Sequence, residues 1–190
     1  VDASKYLTAH SDIVSLMVLE HQSKMHNLLT QANFETRLAL YDQAIMDEIL
    51  ERDPNARSES TLRRIANIGN KLMDYMLFVD EAELSSVITG TSSFTSTFSG
   101  RGVRNDRGRS LREFDLRTRL FRYPLSYLIY SEQFDTLPED MRDYVYRRLW
   151  EVLSGEEGYA HLDAETRAAI IEILRGTKAG LPDYWNAESF

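Results

Sequence analysis

The 190-residue sequence contains no cysteine. That excludes disulfides, cysteine-ligated zinc, iron–sulfur clusters, haem attached through C-x-x-C-H, and thiol catalysis. Glycine and proline are scarce, with nine and four residues. The stretch 11–53 contains neither. No apolar run approaches the roughly 18 residues that span a bilayer. No signal-peptide pattern is visible at the start, VDASKYL. A start without Met fits a processed protein or a piece of a longer one, so export is not excluded. Positive charge is in deficit, with 22 Lys and Arg against 30 Asp and Glu, net −8. An acidic chain of this kind is a poor non-specific nucleic-acid binder.

Several catalytic signatures are also missing. There is no H-E-x-x-H zinc motif and no G-x-S-x-G nucleophile elbow. No Glu-x-x-His pair of the di-iron bundle type occurs in 11–53. Gly100-Arg101-Gly102 is not followed by Gly-Lys-Ser/Thr, so it is not a phosphate loop. These absences favour a non-enzymatic role over an enzyme of unannounced class.

Helical periodicity is abundant. After a cap at Ser11 or Asp12, apolar residues recur at Ile13, Val14, Met17, Val18, Met25, Leu28, Leu29 and Ala32. The pattern resumes at Leu38, Ala39, Ile45, Met46, Ile49 and Leu50, as one long helix or two with a break near Asn33. Asp53-Pro54-Asn55 should stop it. A second helix is expected from Thr61 to about Leu84, with Leu62, Ile65, Ile68, Leu72, Met73, Met76 and Val79 inward. Residues 85–100 read as loop or extended chain. Asn105-Asp106-Arg107-Gly108 is a turn signal that can join Val103 and Leu111 in a small hairpin. A short helix at Pro124 to Ser131, one from Pro138 to about Ser154, and one from Ala164 to Arg175 complete the chain, with Gly176 as the residue after the last. The expected fold is all-α: one domain over 1–190, an irregular helical bundle built on a long N-terminal helix. A central loop or small hairpin occupies about 85–118.

Two clusters carry candidate chemistry. On the wheel, His21 falls near the centre of the apolar face, with Met17 and Met25 four residues to either side. His26 points away, and Glu20 lies at the rim. His21 is either a core histidine satisfied by a hydrogen bond or a metal ligand. Imidazole with thioether suits copper(I) or haem iron. Met73 and Met76 on the next helix could close such a site, although core methionines are usually filler. His10 and His161 have no metal-like spacing. The second cluster lies between Arg101 and Arg122: Arg101, Arg104, Arg107, Arg109, Arg112, Arg117, Arg119 and Arg122, against Asp106, Glu113 and Asp115. This segment is net +5 in a chain of net −8. Using only arginine favours planar, bidentate pairing. The arginines either pair with acidic helices of the same chain or form a docking patch for an anionic group such as a haem propionate or an acidic protein surface. Next to them, Phe121, Tyr123, Tyr127, Tyr130 and Phe134 suit an interface or a core.

The runs HSDIVSLMVLEHQSKMHNLLTQANFETRLAL and GRSLREFDLRTRLFRYPLSYLIYSEQFDTLP, the second followed by YVYRRLWEVLSG, resemble segments of uncharacterised bacterial exported proteins associated with c-type cytochrome systems. The resemblance covers somewhat less than half the chain. It implies a periplasmic or exported location and a protein partner, possible among them a c-type cytochrome. Met17, His21, Gln22 and Met25 also resemble the Met…His-Gln…Met run of small helical periplasmic copper-associated proteins. Those carry a second His before the His-Gln pair, where this chain has Glu20.

Overall fold

A computed structural model describes residues 2–5, 12–53, 56–90, 92–155 and 158–186. Six α-helices build the fold: α1 (Ile13–Ile49), α2 (Glu59–Met76), α3 (Phe94–Gly100), α4 (Glu132–Asp135), α5 (Glu139–Leu153) and α6 (Ala164–Thr177). Short 3-10 turns occur at Ala3–Lys5, Tyr127–Tyr130 and Asp183–Trp185. The described residues contain no strand, and the architecture is an all-α bundle on a long N-terminal helix. Among the described residues no helix is long and apolar enough to cross a membrane.

The α1 helix is unbroken across Asn33, because no residue in it removes a donor or favours another backbone. Asp12 caps it, its side chain accepting from the Ser15 N–H at 3.0 Å. Ser11, the other cap candidate, lies outside the described residues, as do Pro54 and Asn55. Its helical termination comes earlier than the proline. Glu51 takes a left-handed φ of 51°, and the Arg52 N–H donates to the Asp47 carbonyl at 2.9 Å. This is a Schellman end with glutamate where glycine is usual.

The buried stripe of α1 is Val14, Val18, His21, Met25, Leu29, Ala32, Thr36, Ala39, Gln43 and Asp47. In the second half this departs from expectation. Leu38, Ile45, Met46, Ile49 and Leu50 are exposed, while polar residues face inward. Gln43 and Asp47 are satisfied locally, whereas the Thr36 hydroxyl has no hydrogen-bond partner. Gln43 Nε2 donates to Asp47 Oδ2 and to the Ala56 carbonyl, both at 2.9 Å, and its Oε1 accepts from the Ser58 N–H at 3.0 Å. Gln43 thus ties the end of α1 to the entry of α2, where Ser58 caps the helix through the Thr61 N–H.

The α2 helix packs along α1 on one side and against α5 on the other, and α5 packs on α6. Gly69 sits at the α2–α5 crossing. A Cβ there would lie 2.5 Å from Cδ1 of Tyr144, so only glycine allows the ring this close. Leu62, expected inward, is exposed. The α2 helix ends at Met76 rather than near Leu84.

The central segment is irregular. Residues 94–100 are helical rather than extended. The chain reverses at 105–108, with the Gly108 N–H donating to the Asn105 carbonyl at 2.8 Å. Strand-like pairing lies further on: one antiparallel bridge joins Phe114 and Phe121, with residues 116–119 at its tip. Val103 is exposed and Leu111 fully buried. Within 124–131 only Tyr127–Tyr130 coil, as a 3-10 turn leading into α4 rather than an α-helix. The α6 helix starts at Ala164, as expected, capped by Asp163, and continues past Gly176 to Thr177. Gly176 is therefore helical. The Cβ it lacks would lie 3.0 Å from Cβ of Asn105, so it admits the arginine-rich loop.

Candidate functional site

The α1 stripe places His21 where α2 ends and the 120–127 segment crosses. Only 3% of the residue is exposed. Nε2 lies 2.8 Å from Ser126 Oγ, and that oxygen also accepts from the Leu128 N–H at 3.3 Å. The imidazole stacks on Phe78, centroids 4.6 Å apart at 18°, and on Tyr75, 5.3 Å apart at 19°. Phe121 meets it edge-on at 6.0 Å. Phe78 reaches this position only by adopting a left-handed φ of 56° after the α2 cap. That conformation costs a non-glycine residue on the order of 1 kcal/mol, and ring stacking on His21 offsets it. Burial pushes the His21 pKa down to about 4, since a charge here would be taken out of water. The ring is neutral at physiological pH.

Beside the ring lies a cavity of about 260 Å³. Met17, Glu20, His21, Tyr75, Phe78 and Glu81 are among the residues that line it. Burial raises the Glu81 carboxyl above its ordinary value, although its carboxylate accepts from the Leu120 N–H at 2.9 Å. Burial likewise pushes the Tyr75 hydroxyl up to about 12. Of the three sequence candidates, the cavity brings Met17 and His21 together. Met25 is fully buried in the core and does not line it. Met73 and Met76 are core residues that do not line it either. Among the described residues no three His, Cys, Asp or Glu side chains gather as a metal cluster. His26 is exposed and bonds to Gln133 across to α4. His161 Nε2 lies 2.8 Å from the Leu77 carbonyl, at the end of α2. His10 lies outside the described residues.

The arginine segment divides into two parts. Arg104 pairs with Glu113 at 2.9 Å, and Arg122 approaches the same carboxylate at 3.7 Å. Arg107 and Arg109 share Glu172 of α6, at 3.0 and 3.2 Å. Buried Asn105 organises this loop: its Oδ1 accepts from the N–H groups of Arg107 and Arg109, and its Nδ2 donates to Glu172. The guanidinium of Arg112 lies 4.9 Å from the Phe98 ring and 4.8 Å from Tyr127. Arg101, Arg117 and Arg119 have no ion-pair partner within 4.0 Å among the described residues. Arg117 and Arg119 sit together at the tip of the Phe114–Phe121 turn.

The aromatic cluster of the sequence is largely core. Phe121, Tyr123, Tyr127 and Phe134 are buried. Ser126, Phe78 and Glu81 were not among the sequence candidates. Ser126 is 105 residues from His21 in the chain, and no local motif marks that contact.

These features define a helical bundle with one buried histidine beside a small cavity and one arginine-bearing turn. Comparison with protein-family models, curated proteins and solved structures finds no match for this chain.

Proposed function

We propose that this chain is a non-enzymatic helical docking or scaffold domain of an exported bacterial cell-envelope protein. In this reading it works beside a c-type cytochrome or another electron-transfer partner. The observation that carries it is the uneven use of the arginines. Arg104, Arg107, Arg109 and Arg122 are spent on internal carboxylates, and Arg112 stacks on aromatic rings. Arg117 is exposed and Arg119 half-buried, its charge acting on Glu81 and Asp163, at a turn that backbone hydrogen bonds hold on both sides. A planar guanidinium pair on a rigid turn suits a carboxylate-bearing partner, including the propionate edge of a haem protein. Reversing both charges, Arg117→Glu with Arg119→Glu, should abolish capture of a c-type cytochrome at low salt and leave the far-UV circular dichroism unchanged. Undiminished capture by the double variant refutes the reading. Reversing Arg109 or Arg112 is a poorer test, because both support the fold.

A second reading, a metal- or haem-binding bundle using His21 with Met17 or Met25, is favoured by the cavity at His21. A neutral imidazole has no proton to lose before ligating a soft ion. At 260 Å³ the cavity falls below the ~300 Å³ lower bound of ordinary ligand pockets. It therefore suits a single copper ion with Met17 better than a haem. Anaerobic titration with copper(I) against a chromophoric chelator tests this. Equal uptake by the wild type and by His21→Ala excludes the site.

A further inference from the structure

The outer face of the α1 second half carries a seam that the bundle does not use. Phe34, Leu38, Tyr41, Ile45 and Ile49 follow one another at spacings of three and four, and each is between 39% and 67% exposed. At 100° per residue they form a stripe opposite the buried residues Ala32, Thr36, Ala39, Gln43 and Asp47. The arrangement inverts the usual one: large apolar groups face water and polar groups face the core. Such a seam, sustained over four turns, is the pattern of a helix–helix contact.

We infer that this seam is the contact between two copies of the chain, paired antiparallel about a two-fold axis near residues 42–43. Area is the first argument. With roughly 200 Å² for a fully exposed large side chain, the five residues present about 550 Å². The flanks, Gln31, Glu35, Arg37 and Glu48, extend the footprint to about the 800 Å² per partner of a stable interface. An apolar core with a polar rim is the expected anatomy.

Charge is the second argument. Arg37 and Glu48 lie on the same flank of the seam, equally far from an axis between residues 42 and 43, one residue from the middle of the apolar stripe. An antiparallel two-fold sets Arg37 of each copy against Glu48 of the other. Asp42, nearest the axis on the opposite flank, is already paired with Arg64 at 2.8 Å. The copies therefore meet without bare like charges at their centre. A lipid surface is disfavoured, because on the flanks Glu35, Asp42 and Glu48 outnumber the one basic residue, Arg37, and anionic membranes attract basic flanks.

Sedimentation velocity and light scattering on the whole chain test the inference. Across about 1 to 100 µM, the mass should rise from the 22.0 kDa of one chain towards twice that value. Ile45→Glu should raise the dissociation constant at least about 100-fold while the far-UV circular dichroism holds. Tyr41→Asp gives an independent reading should Ile45→Glu fold poorly. Arg37→Glu should weaken pairing about 10-fold, and adding Glu48→Arg should restore it. A chain monomeric at about 100 µM overturns the inference, even where the seam binds vesicles or another protein. So does a dimer that both Ile45→Glu and Tyr41→Asp leave intact. A double charge reversal no better than the single one overturns the antiparallel register.

Discussion

Protonation of His21 should unfold this protein from the inside, and the size of the effect follows from its surroundings. The imidazole is 3% exposed, and its pKa is held at about 4 against an ordinary value of 6.5. In the unfolded chain the ring binds a proton as pH falls through about 6.5, whereas the folded ring stays neutral until about 4. The unfolded state therefore holds more protons in this window, and stability is lost as pH falls. A separation of about 2.5 units at 1.36 kcal/mol each corresponds to about 3 kcal/mol in full, of which about 2 kcal/mol disappears between pH 7 and pH 5. That is a large share of the roughly 5–15 kcal/mol that holds a domain together.

Urea denaturation of metal-free protein at closely spaced pH values provides the assay. Other groups titrate in the same range, so the wild type must be compared with His21→Gln. Glutamine retains a polar contact for Ser126 but carries no titrating proton. The variant should be less stable at pH 7 and should lose about 2 kcal/mol less than the wild type on going to pH 5. In parallel, NMR should show the His21 ring protons unmoved down to about pH 5. Parallel loss of stability in both proteins would refute the reasoning, as would a His21 resonance that titrates near 6.5.

Three further predictions rest on single contacts. Thr36→Val should stabilise the fold by about 1 kcal/mol in urea melts, because the buried Thr36 hydroxyl has no hydrogen-bond partner and valine keeps its shape. Gly69→Ala should destabilise by about 1–2 kcal/mol despite better helix propensity, since the new methyl meets the Tyr144 ring at 2.5 Å; unchanged stability would mean that α5 shifts freely. Gln43→Ala should cost about 1–2 kcal/mol and speed hydrogen exchange at the Ser58 amide, because it leaves buried Asp47 and two partly exposed backbone groups without their partner.

The helices were legible where a single face was apolar. In α2, α5 and α6 most of the periodic apolar residues are buried; Leu62 is exposed, Tyr144 is half-buried, and Val79 lies half-buried beyond the end of α2. Capping at Asp12 was readable for the same reason, since it offers an oxygen three residues before an orphan N–H; Ser58 and Asp163 cap α2 and α6 in the same way. The second half of α1 was not legible. Periodicity identifies an apolar stripe but does not say which neighbour covers it, and Gln43 and Asp47 look solvated until Ala56 and Ser58 come into contact. Helix ends at Glu51 and Phe78 were hidden because neither residue advertises a left-handed backbone. His21 was identifiable as a buried histidine from the wheel. Ser126 and the ring of Phe78 were not, because long-range pairing leaves no local trace. The arginine segment was visible as charge. Its division into paired and unpaired members depends on Glu113 and Glu172, which only the fold brings near.

The histidine site and the outer seam share one helix, yet the geometry separates them. His21 lies 13 residues before Phe34, about 20 Å along the axis, and on the buried face. Substitutions that far apart with no shared partner should act additively. Ile45→Glu should leave the pH response of His21 intact, and His21→Gln should leave association unchanged at pH 7. Coupling between the two would mean that α1 transmits strain from its buried stripe to its outer face. The local hydrogen bonds of Gln43 and Asp47 argue against that, because they anchor this half of the helix to the start of α2.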